Sequence, residues 1–252
     1  MYLPVSPPPS PRKAAAVSAF RAAIQSDPEF SRSHFQLVRR AAYDVRRIVP
    51  FSLMLVICGE FTPLIVLAVG SAIVPFTCRV PKQFAKDRAQ RASRKRAALV
   101  DHFVRTTGSM SVPGSSSSGG GSGTAGKDYG PELDLLATRF ANREWIETAS
   151  SEEILRACAV MGLARTHRRS SALASLVYKP RLQRFAEYLA LDDGLIRRGG
   201  GVGAMEAVEV RMAVEERGGV ELVMEMEDWE AEREQRRWLE AWLERRRDIC
   251  LH

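Results

Sequence analysis

The sequence predicts an all-α protein: one kinked transmembrane helix followed by a helical C-terminal domain. Three observations carry this expectation. Residues 51–78, FSLMLVICGEFTPLIVLAVGSAIVPFTC, form an apolar run with a single charge, Glu60, near its middle. Residues 106–130, TTGSMSVPGSSSSGGGSGTAGKDYG, are a Gly/Ser linker that buries too little apolar surface to order itself. From Pro131 onward apolar residues recur at helical spacing, and long alternating β-branched runs are absent.

The elements follow in chain order. Residues 1–29 read as a disordered or transit-like N-terminus. The first 26 residues contain no acid and carry Arg12, Lys13 and Arg21 among Ala and Ser, as mitochondrial transit peptides do. The Pro-rich opening MYLPVSPPPSP does not start a helix, so an ordinary tail is the alternative. No apolar segment near the N-terminus has the form of a cleavable secretory signal.

Residues 30–105 read as a membrane segment with basic flanks and its span at about 51–78. A span needs about 20 mostly apolar residues. The run has no polar face at the helical period, unlike a surface helix. Straight, it would reach about 42 Å at helical rise, against a hydrocarbon core of about 30 Å. Pro63 and Pro75 interrupt the backbone ladder, and a kink or tilt absorbs the excess length. Glu60 costs about 3 kcal/mol at mid-membrane on insertion scales. It is a candidate ion-pathway residue, paired, hydrated or protonated; the alternative is a carboxylate that snorkels at the kink.

Five cations precede the run, Arg32, Arg39, Arg40, Arg46 and Arg47, and eight follow it within residues 79–96. The excess places the C-terminal flank on the cytoplasm-like or matrix-like side. The stretch 79–105 has Ala at intervals and few breakers, and predicts a helix. Its charge suits anionic lipid head groups, cardiolipin among them, or RNA phosphates.

The net charge of +7 hides an asymmetry. Residues 1–130 hold 18 basic and 7 acidic side chains, and residues 131–252 hold 19 and 23. The C-terminal half is therefore no nucleic-acid surface in bulk, and RNA contact there needs a local patch.

Residues 131–252 predict a helical domain. Leu133, Leu136 and Phe140 share one face. Ser150 or Ser151 caps a helix with Ile154, Leu155, Cys158 and Met161 inward. Leu173, Leu176 and Val177 follow, and Pro180 opens a helix that buries Leu182, Phe185, Ala186 and Leu189. Met205, Val208 and Met212 mark another helix. The charged C-terminal helix docks through Trp238, Leu239, Trp242 and Leu243, its charges forming a solvated face.

Enzyme signatures are missing. Cys58, Cys78, Cys158 and Cys250 are far apart and His34, His102, His167 and His252 are scattered, so neither metal-ligand spacing nor a nucleophilic triad is present. No metal site, cofactor or catalytic residue is expected. GGGVGA lacks the Gly-Lys-Ser/Thr of a P-loop, and LDDGLIRRGGG lacks the alternating acids of an EF-hand. The plain reading of that segment is a corner between helices, with Asp193 capping or turning and the glycines supplying positive φ.

HFQLVRRAAYDVRRIVPFSLMLVICGEFTPLIVLAVGSAIVPFTCR resembles the opening of the LETM-domain proteins of the mitochondrial inner membrane. The matching positions are Arg39 and Asp44, Val49-Pro50-Phe51 at the entry, Glu60 with Pro63 inside, and Pro75 after it. LALDDGLIRRGG, with Asp192 and Asp193, is similar to the family's Leu-x-x-Asp-Asp-x-Leu-Ile element. MEAVEVRMAVEERG follows with Glu209, Ala213 and Arg217-Gly218 in the family's places, and WLEAWL fits near the end. The resemblance covers roughly residues 30–248, and the order of the motifs is more specific than any one of them. The linker and residues 219–237 are insertions against the family pattern. The family's long coiled coil and its calcium-binding EF-hand do not occur in this sequence, which puts calcium sensing in doubt.

The resemblance implies a single-pass protein of the mitochondrial inner membrane. Its C-terminal domain would lie in the matrix and fold as a helical bundle like that of 14-3-3 proteins. It implies an adaptor, not an enzyme, that binds mitochondrial ribosomes and supports membrane-protein biogenesis and ion and volume homeostasis. Partners would include inner-membrane lipids, cardiolipin through residues 79–96, and a second copy of the chain. The alternative is a component of a potassium (cation)/proton exchanger that uses Glu60; a third reading is a scaffold alone.

Overall fold

The computed structural model describes residues 31–58, 81–107, 130–220, 222 and 229–247. Among them every regular element is helical. The chain divides into two units, one holding the described residues up to Gln90 and the other those from Arg91 onward.

In the first unit α1 runs from Arg32 to Cys58. Ser31 opens it, its Oγ accepting the His34 amide at 3.4 Å. The helix carries the first eight residues of the apolar run, 51–58, on the end of an arginine-rich segment. Leu37, Val38 and Val45 are exposed along it. No helix among the described residues is long and apolar enough to cross a membrane. Most of the expected span lies outside those residues, including Glu60, Pro63 and Pro75.

Helix α2, Pro81–Thr107, crosses from the first unit into the second. It confirms the helix expected over 79–105. Its C-terminal half belongs to the domain that the sequence starts only at Pro131. Ala98, Leu99 and Phe103 lie in the same core as Leu133, Phe140 and Ile154. Lys95 pairs with Glu132, and Arg91 reaches Glu215 at 3.1 Å. The Gly/Ser stretch thus joins two pieces of one unit; its residues 108–129 lie outside the described ones.

The rest of the second unit is a set of helices: α3, Gly130–Asp134; α4, Arg143–Thr148; α5, Ser151–Val160; α6, Ser171–Leu173; α7, Lys179–Arg198; α8, Ala207–Glu216; and α9, Trp229–Arg245. A π segment, Leu135–Phe140, continues α3, and a second, Ala174–Tyr178, joins α6 to α7. A 3-10 turn covers Val202–Ala204.

Local chemistry sets several boundaries. Asn142 caps α4 by accepting the Glu144 amide at 2.9 Å. Ser150 caps α5 in a reciprocal box: its Oγ accepts the Glu153 amide, and the Glu153 carboxylate accepts the Ser150 amide at 2.9 Å. Pro180 stands in the first turn of α7, where its missing N–H costs nothing. Gly200 and Gly201 end α7 with φ of 97° and 78°, as the glycine corner predicts.

The predicted inward residues of α3, α5, α7 and α9 are buried, from Leu133 through Leu243. Two expectations are corrected. Leu173 and Leu176 are 41% and 73% exposed, while Ala174 between them is buried, so the segment packs through its small residue and turns the leucines outward. Helix α8 buries Val210, Ala213 and Val214, while Val208 is exposed and Met205 precedes the helix. Valine occupies both faces of this short helix, Val208 outward and Val210 and Val214 inward, so valine alone does not mark the buried face.

Candidate functional site

The sequence singles out Asp192, Asp193 and Arg217, and the fold brings these three together. Asp192 and Asp193 lie in the body of α7, not at its end as caps. They sit at the helical spacing between Leu189 and Ile196, so they point where an apolar stripe would point. Both are wholly buried, as is Arg217 in the turn after α8.

The guanidinium of Arg217 donates from Nε to Asp193 Oδ1 at 3.1 Å. Its Nη2 donates to Asp193 Oδ1 at 2.6 Å and to Asp192 Oδ2 at 2.8 Å, and its Nη1 to the Ala213 carbonyl at 3.1 Å. Burial works against its charge. Asp193 and Asp192 overcome that cost and hold its pKa above the ordinary arginine value.

Arg246, 1% exposed at the end of α9, completes the cluster. Its Nε donates to Asp193 Oδ2 at 2.8 Å. Its Nη1 donates to the carbonyls of Ala137 and Ala141, at 2.9 and 2.8 Å. Those carbonyls belong to the end of the first π segment, where the Ala141 amide has moved onto Leu136 and the Asn142 amide onto Arg139. Arg246 therefore closes a helix terminus as well as a carboxylate.

Trp242 Nε1 donates to both Asp193 oxygens at 3.3 Å. Its ring lies under both guanidiniums, with Arg246 Cζ at 5.5 Å and Arg217 Cζ at 6.0 Å from the centroid. Trp238 stacks on it at 5.8 Å. Two carboxylates face two guanidiniums, so the cluster is neutral, and it ties α7, α8, α9 and the first π segment together.

This arrangement suits clamping. The carboxylates are sealed from solvent and accept two arginines and an indole. Among the described residues no group of His, Cys, Asp or Glu is placed to hold a metal ion.

The remaining expected positions lie around the cluster or outside it. Gly218 follows Arg217 with φ of 95°, a value only glycine takes without strain, and its Cα faces Leu136. Glu209 stands in the first turn of α8 and is half-buried. Glu60, Pro63 and Pro75 lie outside the described residues.

Arg246 is the functional residue that sequence reasoning misses, because it sits in the run ERRR of a helix whose charges read as a solvated face. A signal was present: Arg246 continues the stripe Leu239–Trp242–Leu243 at helical spacing. The same signal marks Lys95, buried between Ala92 and Leu99. Cys158 is also buried; it donates to the Tyr178 carbonyl, and burial raises its pKa to about 12, which leaves an inert thiol.

No family model, curated protein or solved structure matches the chain.

Proposed function

We propose that the chain is a LETM-type adaptor of the mitochondrial inner membrane, anchored by a single kinked span near residues 51–78. Its C-terminal domain stands in the matrix as a 14-3-3-like bundle and binds mitochondrial ribosomes. Its role is in membrane-protein biogenesis and in ion and volume homeostasis, through contacts and not through catalysis.

The observation that carries this reading is the fate of the motif residues. Asp192, Asp193 and Arg217 were singled out because their order and spacing resemble the family's elements. In the fold they meet in one buried cluster. A motif whose members are far apart in sequence and joined in space has a physical reason to occur as a set, which supports the resemblance over chance. The apolar run and its basic flanks support the membrane anchoring.

The test is carbonate extraction and protease protection of mitochondria carrying a C-terminal tag. The tag is expected in the carbonate pellet and protected in mitoplasts. Release into the supernatant, or digestion of the tag in intact mitoplasts, contradicts the reading.

A second reading rests on Glu60, the one charge within the apolar run. A carboxyl group at that depth must be neutral or paired. In an exchanger of potassium against protons it would carry the proton or the cation, and a single span would need further copies to form a path. Glu60→Gln retains shape and hydrogen bonding and removes the titratable charge. On the exchanger reading it inserts normally and abolishes rescue of mitochondrial swelling. Wild-type swelling behaviour in potassium medium leaves the adaptor reading alone.

A further inference from the structure

Residues 157–186 contain no acid and carry six cations, Arg165, Arg168, Arg169, Lys179, Arg181 and Arg184. The rest of the unit from Arg91 onward holds 19 basic and 25 acidic residues, so this acid-free stretch is basic against a remainder with an acidic excess. Its first part is the connection between α5 and α6. There the Arg168 amide donates to Thr166 Oγ1 at 3.1 Å, which fixes a local turn just before Arg169. Arg165, Arg168 and Arg169 are all exposed. Asp101, whose charge reaches His167, is held by Arg105 at 3.3 Å and Arg156 at 3.4 Å.

Immediately after the arginines the chain exposes two leucines. Leu173 and Leu176 are 41% and 73% exposed and lie three residues apart on the helical segment, so their side chains are neighbours. Ser171, Ala172 and Ser175 around them are exposed and small. No Phe, Tyr or Trp lies between Arg165 and Val177 to offer a base a stacking face.

We propose that the segment Arg165–Leu176 is a docking surface for an anionic phospholipid bilayer, with Leu173 and Leu176 entering the head-group boundary and Arg165, Arg168 and Arg169 meeting lipid phosphates. Each half explains what the other does not. Arginines alone suit any polyanion, and exposed leucines alone suit any apolar partner. Exposed leucines that follow exposed cations in the chain match a surface that is apolar below and negative above. The docking turns this face of the C-terminal domain toward the bilayer and leaves the acidic remainder outward. It rests on the membrane anchoring proposed above and is independent of ribosome association.

The test is amide hydrogen exchange on the full-length protein with nanodiscs of phosphatidylcholine alone or with added cardiolipin. Incorporation is followed separately by co-elution with the discs. Amides of residues 165–176 are expected to exchange more slowly only with anionic discs. Arg168→Gln with Arg169→Gln should weaken the protection, by about fivefold in lipid affinity for each charge. Leu173→Gln with Leu176→Gln should remove it while leaving circular dichroism unchanged, since these side chains are outside the core. Co-elution with unchanged exchange in both lipids overturns the docking and leaves the anchoring intact. Failure to co-elute counts against the anchoring, and exchange with the anionic discs present still reads the docking. Protection conferred by RNA or ribosomes in place of anionic lipid, or equal protection in both discs, overturns it as well.

Discussion

Asp193 accepts hydrogen bonds from Arg217, Arg246 and Trp242 in a site without solvent. A carboxylate so surrounded tolerates burial only while its partners remain, because one missing guanidinium leaves an uncompensated charge in a low-dielectric interior. Arg217→Met fills similar volume and removes the charge. It is expected to destabilise the domain by about 3–5 kcal/mol, read as a fall in the urea midpoint of the full-length protein followed by tryptophan fluorescence. A loss below about 1 kcal/mol, the worth of an exposed pair, would contradict the clamp. Titration adds a second expectation. His102 is buried, its Nδ1 has no hydrogen-bond partner, and its ring meets Phe103 and Phe140 edge-on. Burial, then Arg156, lowers its pKa below the ordinary 6.5. The fold therefore prefers the neutral ring. That preference contributes fully above about pH 6.5 and is lost as pH falls, because the unfolded chain takes the proton first. Asp101 and Glu153 are held below their ordinary carboxylate values and act at lower pH. His102→Phe keeps the aromatic contacts and should shrink the drop in melting temperature between pH 7.5 and 5.5; an unchanged drop would place the acid sensitivity elsewhere. The sequence made Asp192, Asp193 and Arg217 legible as a set but not their chemistry. Asp193 beside a glycine corner resembles a cap, and only the position of both acids on the stripe between Leu189 and Ile196 points inward.

Among the elements, α2 departs most from its sequence appearance. Its composition is that of a basic flank, and Ala98, Leu99 and Phe103 are easily passed over among the cations. Yet these side chains enter the core, and Lys95, Asp101 and Arg105 reach Glu132, Arg156 and Glu152. The Gly/Ser stretch was legible as a linker because its composition cannot pack, but composition says nothing of which pieces a linker joins. Here it connects a helix to its own domain. A protease site engineered within residues 111–121 should therefore be cut without separating the pieces. The cleaved protein is expected to elute from gel filtration in detergent as one species containing both fragments. Elution as two species would return α2 to the membrane segment alone. Capping was more legible: Ser150 and Glu153 form the box that a Ser three residues before an acid announces. The π segments were not, since nothing in the composition of Leu135–Phe140 or Ala174–Tyr178 separates them from α-helix. Their effect is visible only where Arg246 collects the carbonyls at the end of the first.

For the whole molecule, the all-α class followed from helical periodicity and the lack of alternating strands. The extent of the C-terminal unit did not, since it depends on a long-range contact across the linker. The functional account joins two proposals about one chain: an apolar run that holds it in a membrane, and a clamped helical domain that presents surfaces to partners. The C-terminal unit from Arg91 onward holds 25 basic and 25 acidic residues, so its bulk charge does not attract nucleic acid and ribosome contact must use a local basic patch or a ribosomal protein. Contact through rRNA would weaken steeply with salt, and contact through protein would weaken less. The most direct measurement is sedimentation of the tagged full-length protein with ribosomes from detergent-lysed mitochondria, on gradients at low and high salt. The account predicts that the protein migrates with the ribosome at low salt and that ribosome disassembly moves it from that fraction. A protein that stays at the top of the gradient at low salt, although fully solubilised and intact, would contradict it.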